Sequence, residues 1–421
     1  MLFRSGPVPI KLGGRVAANE RDSKFTVEAD LTAAKIDNLL PGWIKLPGRP
    51  IRATFVLVNR DQSKRFEDIF VDGSGAMLRG SVEVDGTNDL VSVNFPVFVL
   101  SEGDKATLKA DRGSDGALRV VMRGDVFDGQ NFVKSSISGS SLDQKKSARR
   151  DLDLDIKISR VLGFHGEALR SVDLRMSRRG GQLRSFMLNA TLGRDTALKG
   201  DMRDIREVRD PRSRNVSGKV LYLDTSDAGS LLRFTDTYPR MTGGHLTVAM
   251  DPPSADLAPQ EGVLNIRDFT IRGERELEGV LPNGQGVPRD NIVFTYMNVE
   301  FTRTPGKLAI RDGVVRGPVI GATIDGSIDY QRDEVHMRGT FVPLYTLNNL
   351  LLHVPIVGII LGGGNSNTGV FGITYEVVGT PGQPMLRINP ASALAPGILR
   401  KFFEFPATNE NNRVAPTELA R

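Results

Sequence analysis

Alternation of apolar and polar residues with a period of two is the feature that most constrains this fold. In Asp151–Ser159, the residues Leu152, Leu154, Ile156 and Ile158 alternate with aspartate and lysine. Side chains of a β-strand point alternately to the two faces of its sheet, so such a segment has one apolar face. The same alternation recurs along most of the chain, with turn sequences between the runs. The pattern predicts an all-β protein of antiparallel strands, with the polar face in water.

Glycines inside the predicted strands refine this expectation. A basic residue followed by glycine recurs at Arg79–Gly80, Arg123–Gly124, Arg316–Gly317 and Arg338–Gly339. An interior glycine weakens a strand but lets the sheet bend. The 45 glycines and 23 prolines in 421 residues also fit a thin sheet with many turns. We therefore predict an elongated, curled antiparallel sheet that forms a taco-like groove.

Two or three short helices are predicted to accompany the sheet. Capping residues and apolar spacing favour a helix at Thr225–Tyr238, and Leu31–Trp43 is a second candidate. The third is an amphipathic helix at residues 343–361, near the C-terminus. Polar sequence at Ser135–Asp151 predicts a break between elements.

The predicted domain organisation follows these breaks. Residues 1–140 form a first β-groove segment, and residues 141–405 form a second groove region that contains the end helix. Residues 406–421 are polar and are predicted to be a disordered tail.

The stretch Phe341–Gly364 is the longest apolar segment of the chain. Its apolar run from Leu350 to Leu361 is shorter than the roughly 20 residues that a membrane-spanning helix needs. Two interpretations stay open: a helix that closes the end of the groove, or an end-piece that enters a receiving bilayer or contacts a membrane partner. The residues predicted to make these contacts are Leu347, Leu350, Leu351, Val354, Ile356, Ile359 and Ile360.

Several classes of chemistry find no support in the sequence. The net charge of +5 arises from interspersed basic and acidic residues, which argues against nucleic-acid binding. The absence of cysteine excludes thiolate catalysis and disulfides, and the four histidines lack metal-ligand spacing. No nucleotide-binding or hydrolase motif occurs. The prediction is a protein that is not an enzyme and uses no cofactor or metal.

An apolar sheet face suits lipid transfer, which needs no catalytic residue. Each CH₂ of an acyl chain gains about 0.8 kcal/mol when it leaves water, so a lipid crossing an aqueous gap requires a continuous apolar surface. The predicted lipid-binding residues are Val82, Val84, Leu118, Val120, Leu154, Ile156, Ile324 and Ile328. Head groups are predicted to lie along the polar edge.

Three segments resemble the AsmA-like family of Gram-negative envelope proteins: Asp227–Val248, Val342–Gly363 and Thr374–Phe405. More narrowly, the chain looks like the C-terminal region of the large YhdP- and TamB-type members from α-proteobacteria. The most specific part is the phrase NPASALAPGILR at Asn389–Arg400. The resemblance implies a taco-shaped groove in the periplasm, anchored to the inner membrane by an N-terminal helix of a longer parent protein.

The resemblance and the residues together favour a phospholipid-transfer conduit between the inner and outer membranes that supports outer-membrane integrity. Its expected partners are phospholipid and a membrane or outer-membrane protein at the C-terminal end. The alternative is a scaffold for outer-membrane protein assembly that carries no lipid. A third possibility, a carbohydrate-active enzyme, would use the carboxylates of Asp153 and Asp155.

Overall fold

The computed structural model describes residues 3–15, 23–37, 43–59, 63–138, 150–207, 218–254, 257–274, 291–343 and 372–389. Strands dominate these ranges, which confirms the prediction of an all-β protein. The helices are α1 (Gln130–Ser138) and α2 (Ala228–Phe234), and Ile205–Glu207 forms a 3-10 turn.

The described strands number 24 and are, in chain order, β1 (Phe3–Ser5), β2 (Ile10–Arg15), β3 (Lys24–Asp30), β4 (Lys35–Asp37), β5 (Ile44–Lys45), β6 (Arg52–Asn59), β7 (Ser63–Gly73), β8 (Ala76–Asp85), β9 (Leu90–Val99), β10 (Lys105–Arg112), β11 (Leu118–Asp128), β12 (Leu152–Leu162), β13 (Ala168–Arg179), β14 (Gln182–Leu192), β15 (Thr196–Asp204), β16 (Lys219–Thr225), β17 (Met241–Met250), β18 (Gln260–Arg272), β19 (Asn291–Thr304), β20 (Lys307–Arg316), β21 (Ile320–Asp329), β22 (Glu334–Pro343), β23 (Ile373–Thr380) and β24 (Gln383–Asn389).

One sheet contains 21 of these strands. β2, β3 and β6 to β24 pair in chain order, each with the next, and every pair is antiparallel except β11–β12. That parallel pair runs from Leu118 opposite Leu152 to Asp128 opposite Leu162. It joins the sheet across the predicted domain boundary at residue 140. The remaining strands β1, β4 and β5 form a separate small sheet.

The ends of the strands form two long rims of the main sheet, which differ in the elements that cover them. At one edge, next to the small sheet, the amide of Leu31 donates a hydrogen bond to the carbonyl of Ile51. At the same edge, the amide of Phe164 donates a hydrogen bond to the carbonyl of Phe234 in α2. α1 also begins there, immediately after β11. We call this edge the capped rim and the opposite one the far rim. The turns Asp85–Leu90 and Arg112–Leu118 lie at the far rim.

The structure agrees with one predicted helix and differs in part from one predicted break. α2 confirms the helix predicted at Thr225–Tyr238, and the Asp227 side chain accepts a hydrogen bond from the Ser230 amide as its N-cap. The break predicted at Ser135–Asp151 is wrong at its start, because α1 continues to Ser138.

The helix predicted at Leu31–Trp43 is wrong over Lys35–Asp37, which is strand β4 and pairs with β1 and β5. The physical reason is tertiary. The side chain of Lys45 is buried (2% exposed), and its Nζ donates hydrogen bonds to the carbonyls of Leu31, Thr32 and Ala34. Those carbonyls are thereby satisfied without helical bonding.

The surroundings of Gly339 explain why glycine follows arginine at one of the four Arg–Gly sequences. A Cβ at this position would lie 1.8 Å from the carbonyl oxygen of Thr323 and 2.7 Å from the ring of Tyr375. The Tyr375 hydroxyl donates a 2.6 Å hydrogen bond to the same carbonyl. Glycine is therefore required here for the close approach of a neighbouring strand and a covering ring.

Two predicted segments cannot be compared with the structure. Residues 344–361 of the predicted end helix lie outside the described residues, as do all seven predicted end-cap residues and the tail 406–421. Residue Pro343, at the start of that segment, ends strand β22.

Candidate functional site

The strand register places all eight predicted lipid-binding residues on one face of the main sheet. Directly opposed residues of neighbouring strands share a face. Val82 lies opposite Val93, Val93 opposite Ala110, Ala110 opposite Val120, and Val120 opposite Leu154. From Ile156 the same face continues through Leu174, Leu188, Gly200, Leu223, Val248, Leu264 and Val299. Met297 lies on the same face two residues before Val299, and from it the face continues through Val315 and Ala322 and then along β21 to Ile324 and Ile328. We call it the apolar face.

The other face is mainly polar and carries ion pairs between neighbouring strands, and it also holds a small buried cluster of Ile205, Val220 and Ala249. Arg179 forms two hydrogen bonds of 2.8 Å with the Asp153 carboxylate, and Arg123 bonds Asp155 at 2.8 Å. These hydrogen bonds are the main reason why the pKa of each carboxyl group lies below its usual range. The alternation in this segment thus separates the two faces as predicted.

Exposure along the apolar face changes from one rim to the other. On β12, Ile158 near the capped rim is 3% exposed, whereas Ile156 and Leu154 are half-buried. On β11, Met122 is buried while Val120 and Leu118 are half-buried. The far half of this face is therefore incompletely covered between these strands. Of the eight predicted residues, seven are half-buried, and Ile328 is buried.

α2 covers the capped half of the apolar face. Its residues Leu231 and Phe234 belong to a buried cluster with Leu246 and Ile266 of the sheet. Phe269 and Phe294 stack at 5.2 Å between ring centroids in the same cluster. This part of the face packs as an ordinary protein core.

The C-terminal strands meet the helices at a contact region that we call the junction. The amide of Gly306, in the β19–β20 turn, donates a 2.7 Å hydrogen bond to the carbonyl of Ser138 at the end of α1. The Asp236 carboxylate, just after α2, lies against Gly382 in the β23–β24 turn. Ile328 is 6% exposed and lines this region, which explains why it alone of the predicted set is covered.

The described histidines are paired with single carboxylates and lie apart from the apolar face. His165 contacts Asp236 at 2.7 Å, and His245 contacts Asp224 at 2.9 Å. Across the described ranges no group of three or more potential ligands is arranged to hold a metal ion. His353 lies outside the described residues.

The carboxylates of the carbohydrate-active alternative do not form an acid–base pair. A glycosidase needs one carboxyl group whose pKa is raised so that it can donate a proton. Asp153 and Asp155 both have lowered pKa values and both face arginine. Their arrangement is that of a solvated ion-pair ladder.

A depression of about 590 Å³ lies beside β7, β8 and β9, where the register shifts at Asp68. It is lined mainly by polar-face residues such as Arg65, Arg79 and Asn94, and Arg79 lies 4.8 Å above the ring of Phe70. It is separate from the apolar face, and its mixed charge does not select a ligand.

Further residues of the apolar face were not singled out from the sequence. Leu174 and Met176 of β13, with Phe186 and Leu188 of β14, share this face and are half-buried. The alternation of Val172, Leu174 and Met176 carries the signal, although polar residues interrupt it on either side.

No family model, curated protein or solved structure matches the chain. The likeness to the AsmA-like family therefore rests on the sequence segments alone. In the described part of the chain, no helix combines the length and the apolar character that crossing a bilayer demands.

Proposed function

We propose that this chain is a non-enzymatic conduit that transfers phospholipid between the inner and outer membranes of a Gram-negative cell, as an AsmA-like protein of the periplasm. The observation that carries the proposal is the continuous apolar face, which stays partly exposed toward the far rim. A soluble protein ordinarily buries such a surface, and a large exposed one marks a binding site.

Energetics favour an acyl chain as the occupant. The exposed part of the face consists of aliphatic side chains, such as Leu154 and Ile156, without a converging set of polar groups. An acyl chain gains roughly 0.8 kcal/mol for each CH₂ that leaves water and requires no directed hydrogen bonds. A surface that continues across many strands fits a ligand that moves along it.

The taco-like groove is part of this proposal, and α1 supports it. α1 is fixed near β12 by a 2.7 Å hydrogen bond from Gln130 to the Gly163 carbonyl, and near β19–β20 by the bond between Gly306 and Ser138. Nine helical residues span about 13.5 Å. In a flat sheet, the seven inter-strand steps from β12 to β19 would cover roughly 34 Å. A short tether across that interval favours a curled sheet.

The contact between Asp236 and Gly382 supports the same geometry. Asp236 lies five positions before the start of β17, and Gly382 lies between β23 and β24, six strands further along. A curl that returns the last hairpin to α2 would close the groove at its C-terminal end. The open part would then lie between β7 and β14, where residues of the far half such as Val82, Val120 and Leu154 are partly exposed.

The proposed function also involves segments that lie outside the described residues. The inner-membrane anchor would belong to a longer parent protein, and the apolar stretch 343–361 would face a membrane or an outer-membrane protein. Either interpretation of that stretch, closing helix or membrane-contacting end-piece, is compatible with the conduit.

Lipid extraction from the purified chain tests the proposal. A photoreactive amino acid placed at Leu154, on the exposed half, should cross-link to phospholipid, and mass spectrometry should identify the adduct. The same amino acid at Asp155, on the polar face, serves as the matched control and should give none. Absence of phospholipid both from the extract and from the Leu154 adducts would overturn the conduit.

The covered half of the face favours the second candidate, a scaffold for outer-membrane protein assembly. The buried cluster around Leu246 and Ile266 is a closed core, as a scaffold requires. A scaffold needs all of its apolar face for stability, whereas a conduit tolerates polar substitution on the exposed half and loses lipid. Paired substitutions on the two halves, described in the Discussion, separate these functions.

A further inference from the structure

Three basic residues stand on the apolar face at the far rim. Lys64 begins β7, Arg112 ends β10, and Arg178 lies near the end of β13. The register fixes their face: Lys64 is opposite Val84, and Arg112 is opposite Leu118. Arg178 is likewise opposite Leu152. They form a row at the boundary between the exposed apolar surface and solvent.

The row is regular and contains no acidic residue. Its members are separated by three inter-strand steps each, about 14 Å along a sheet. The intervening positions of the row are apolar and are Val84, Leu90, Leu118 and Leu152, with Leu183 beyond Arg178.

Backbone contacts hold the two guanidinium groups at the rim. Nε of Arg112 donates a 2.9 Å hydrogen bond to the carbonyl of Leu90, and Nε of Arg178 donates a 3.0 Å bond to the carbonyl of Arg150. Lys64 and Arg112 are exposed, whereas Arg178 is half-buried. Each side chain is thus positioned beside the apolar face and still reaches solvent.

Nearby carboxylates are engaged by the turns of the same rim. Asp85 accepts hydrogen bonds from the amides of Thr87 and Asp89. Asp151 accepts one from the amide of Gly180 at 2.7 Å. Asp85 also interacts electrostatically with Arg112, and Asp151 with Arg178, so the row lies between these carboxylates and the apolar surface.

We propose that Lys64, Arg112 and Arg178 form a row of phosphate-binding positions, each of which holds the head group of one glycerophospholipid while its acyl chains lie on the apolar face. The inference rests on the proposed lipid-transfer function and adds to it a preference for anionic head groups. Charge complementarity selects this occupant, because arginine and lysine at an apolar boundary match an amphiphile with a negative head.

The test measures binding of fluorescent phosphatidylglycerol and of diacylglycerol with the same acyl chains to the purified full chain. We expect the phosphatidylglycerol to bind about fivefold more tightly, as one solvent-exposed charge contact of about 1 kcal/mol would give. The triple variant Lys64→Gln, Arg112→Gln, Arg178→Gln should bind the two probes equally. The matched control replaces three exposed basic residues of the polar face, Lys109, Arg175 and Lys199, with glutamine and should keep the preference.

Three outcomes would contradict the proposed phosphate-binding row. They are equal binding of the two probes by the unmodified chain, a preference that persists in the triple variant, and displacement of phosphatidylglycerol by glycerol 3-phosphate alone. Binding of neither probe would instead overturn the conduit itself. Circular dichroism verifies folding, and if the triple variant unfolds, the exposed pair Lys64→Gln and Arg112→Gln should still reduce the preference by about threefold.

Discussion

The guanidinium of Arg303 donates a 3.0 Å hydrogen bond to the carbonyl of Ile137, a residue 166 positions earlier in the chain. It also donates to the carbonyl of Ser136 and, at 2.8 Å, to the side chain of Gln260. The last carbonyls of a helix lack intrahelical partners and attract cations. Arg303 of β19 therefore fixes the C-terminal end of α1 to a distant part of the sheet.

Loss of this contact should destabilise the protein. We expect Arg303→Ala to lower the free energy of unfolding by about 2 kcal/mol, because partly buried hydrogen bonds from a charged donor are lost and carbonyls are left unpaired. Urea denaturation measures the change. Arg311→Ala is the control, since Arg311 is well exposed and pairs with Glu261, and it should cost less than about 1 kcal/mol. Equal effects of the two substitutions would contradict a tethering role.

Polar substitutions on the two halves of the apolar face should destabilise the protein to different extents. Ile158→Asn, in the covered half, should cost about 3–4 kcal/mol, because it places an amide in a packed core. Leu154→Asn, in the exposed half, should cost about 1 kcal/mol.

Lipid content gives the second readout of this pair. The folded Leu154→Asn protein should retain less phospholipid after purification than the unmodified chain. Comparable destabilisation by both substitutions, with no lipid in either, would favour the assembly scaffold.

A side chain at Gly339 should disturb the strand contact beside Tyr375. Gly339→Ala should destabilise the protein by about 2–3 kcal/mol, because the added Cβ has no space against the Thr323 carbonyl. Gly13→Ala, where a Cβ meets no atom within 4 Å, is the matched control and should lie within about 0.5 kcal/mol of the unmodified chain. Thermal unfolding distinguishes the two, and an unchanged melting temperature for Gly339→Ala would refute the close approach.

The Asp153–Arg179 pair should give a pH-dependent contribution to stability. Hydrogen bonding from Arg179 lowers the pKa of Asp153 below its ordinary value of 3.8. The contribution is therefore present above about pH 3.8 and is lost as the pH falls through the lower pKa of the folded state. Asp153→Asn should destabilise by about 1 kcal/mol at neutral pH and by much less near pH 3.

Denaturation at several pH values checks this expectation. Asp125→Asn, which changes an exposed carboxylate of β11, serves as the reference. A difference between Asp153→Asn and the unmodified chain that stays constant down to about pH 3 would argue against the ion pair.

The sequence was most informative where neighbouring strands repeat the same alternation. Leu154 and Ile156 could be assigned to a face from their own strand, because an apolar period of two has one physical solution. Their exposure could not be predicted, since it depends on α2 and the small sheet, which cover only one end of each strand. Ile328 shows why exposure cannot be predicted from alternation alone. It occupies the same face of β21 as Ile324, yet the junction buries it.

Elements set by distant partners were the ones that the sequence could not predict. The end of α1, from Ser135 to Ser138, falls within the predicted polar break, because its stabilising contact comes from Arg303, more than 160 residues away. β4 was interpreted as helix because the hydrogen bonds of Lys45 are invisible to local propensity. In both cases tertiary contacts outweighed the local preference of the chain.

The single parallel pair β11–β12 decides on which side the long connections leave the sheet. In an uninterrupted meander, the connection that carries α2 and the one from Pro343 to Ile373 would emerge at the far rim. The parallel step shifts both to the rim already occupied by the small sheet. Between β8 and β14 the hairpin turns at the opposite rim are short. Under the proposed function, that rim would give a two-tailed molecule access from the side.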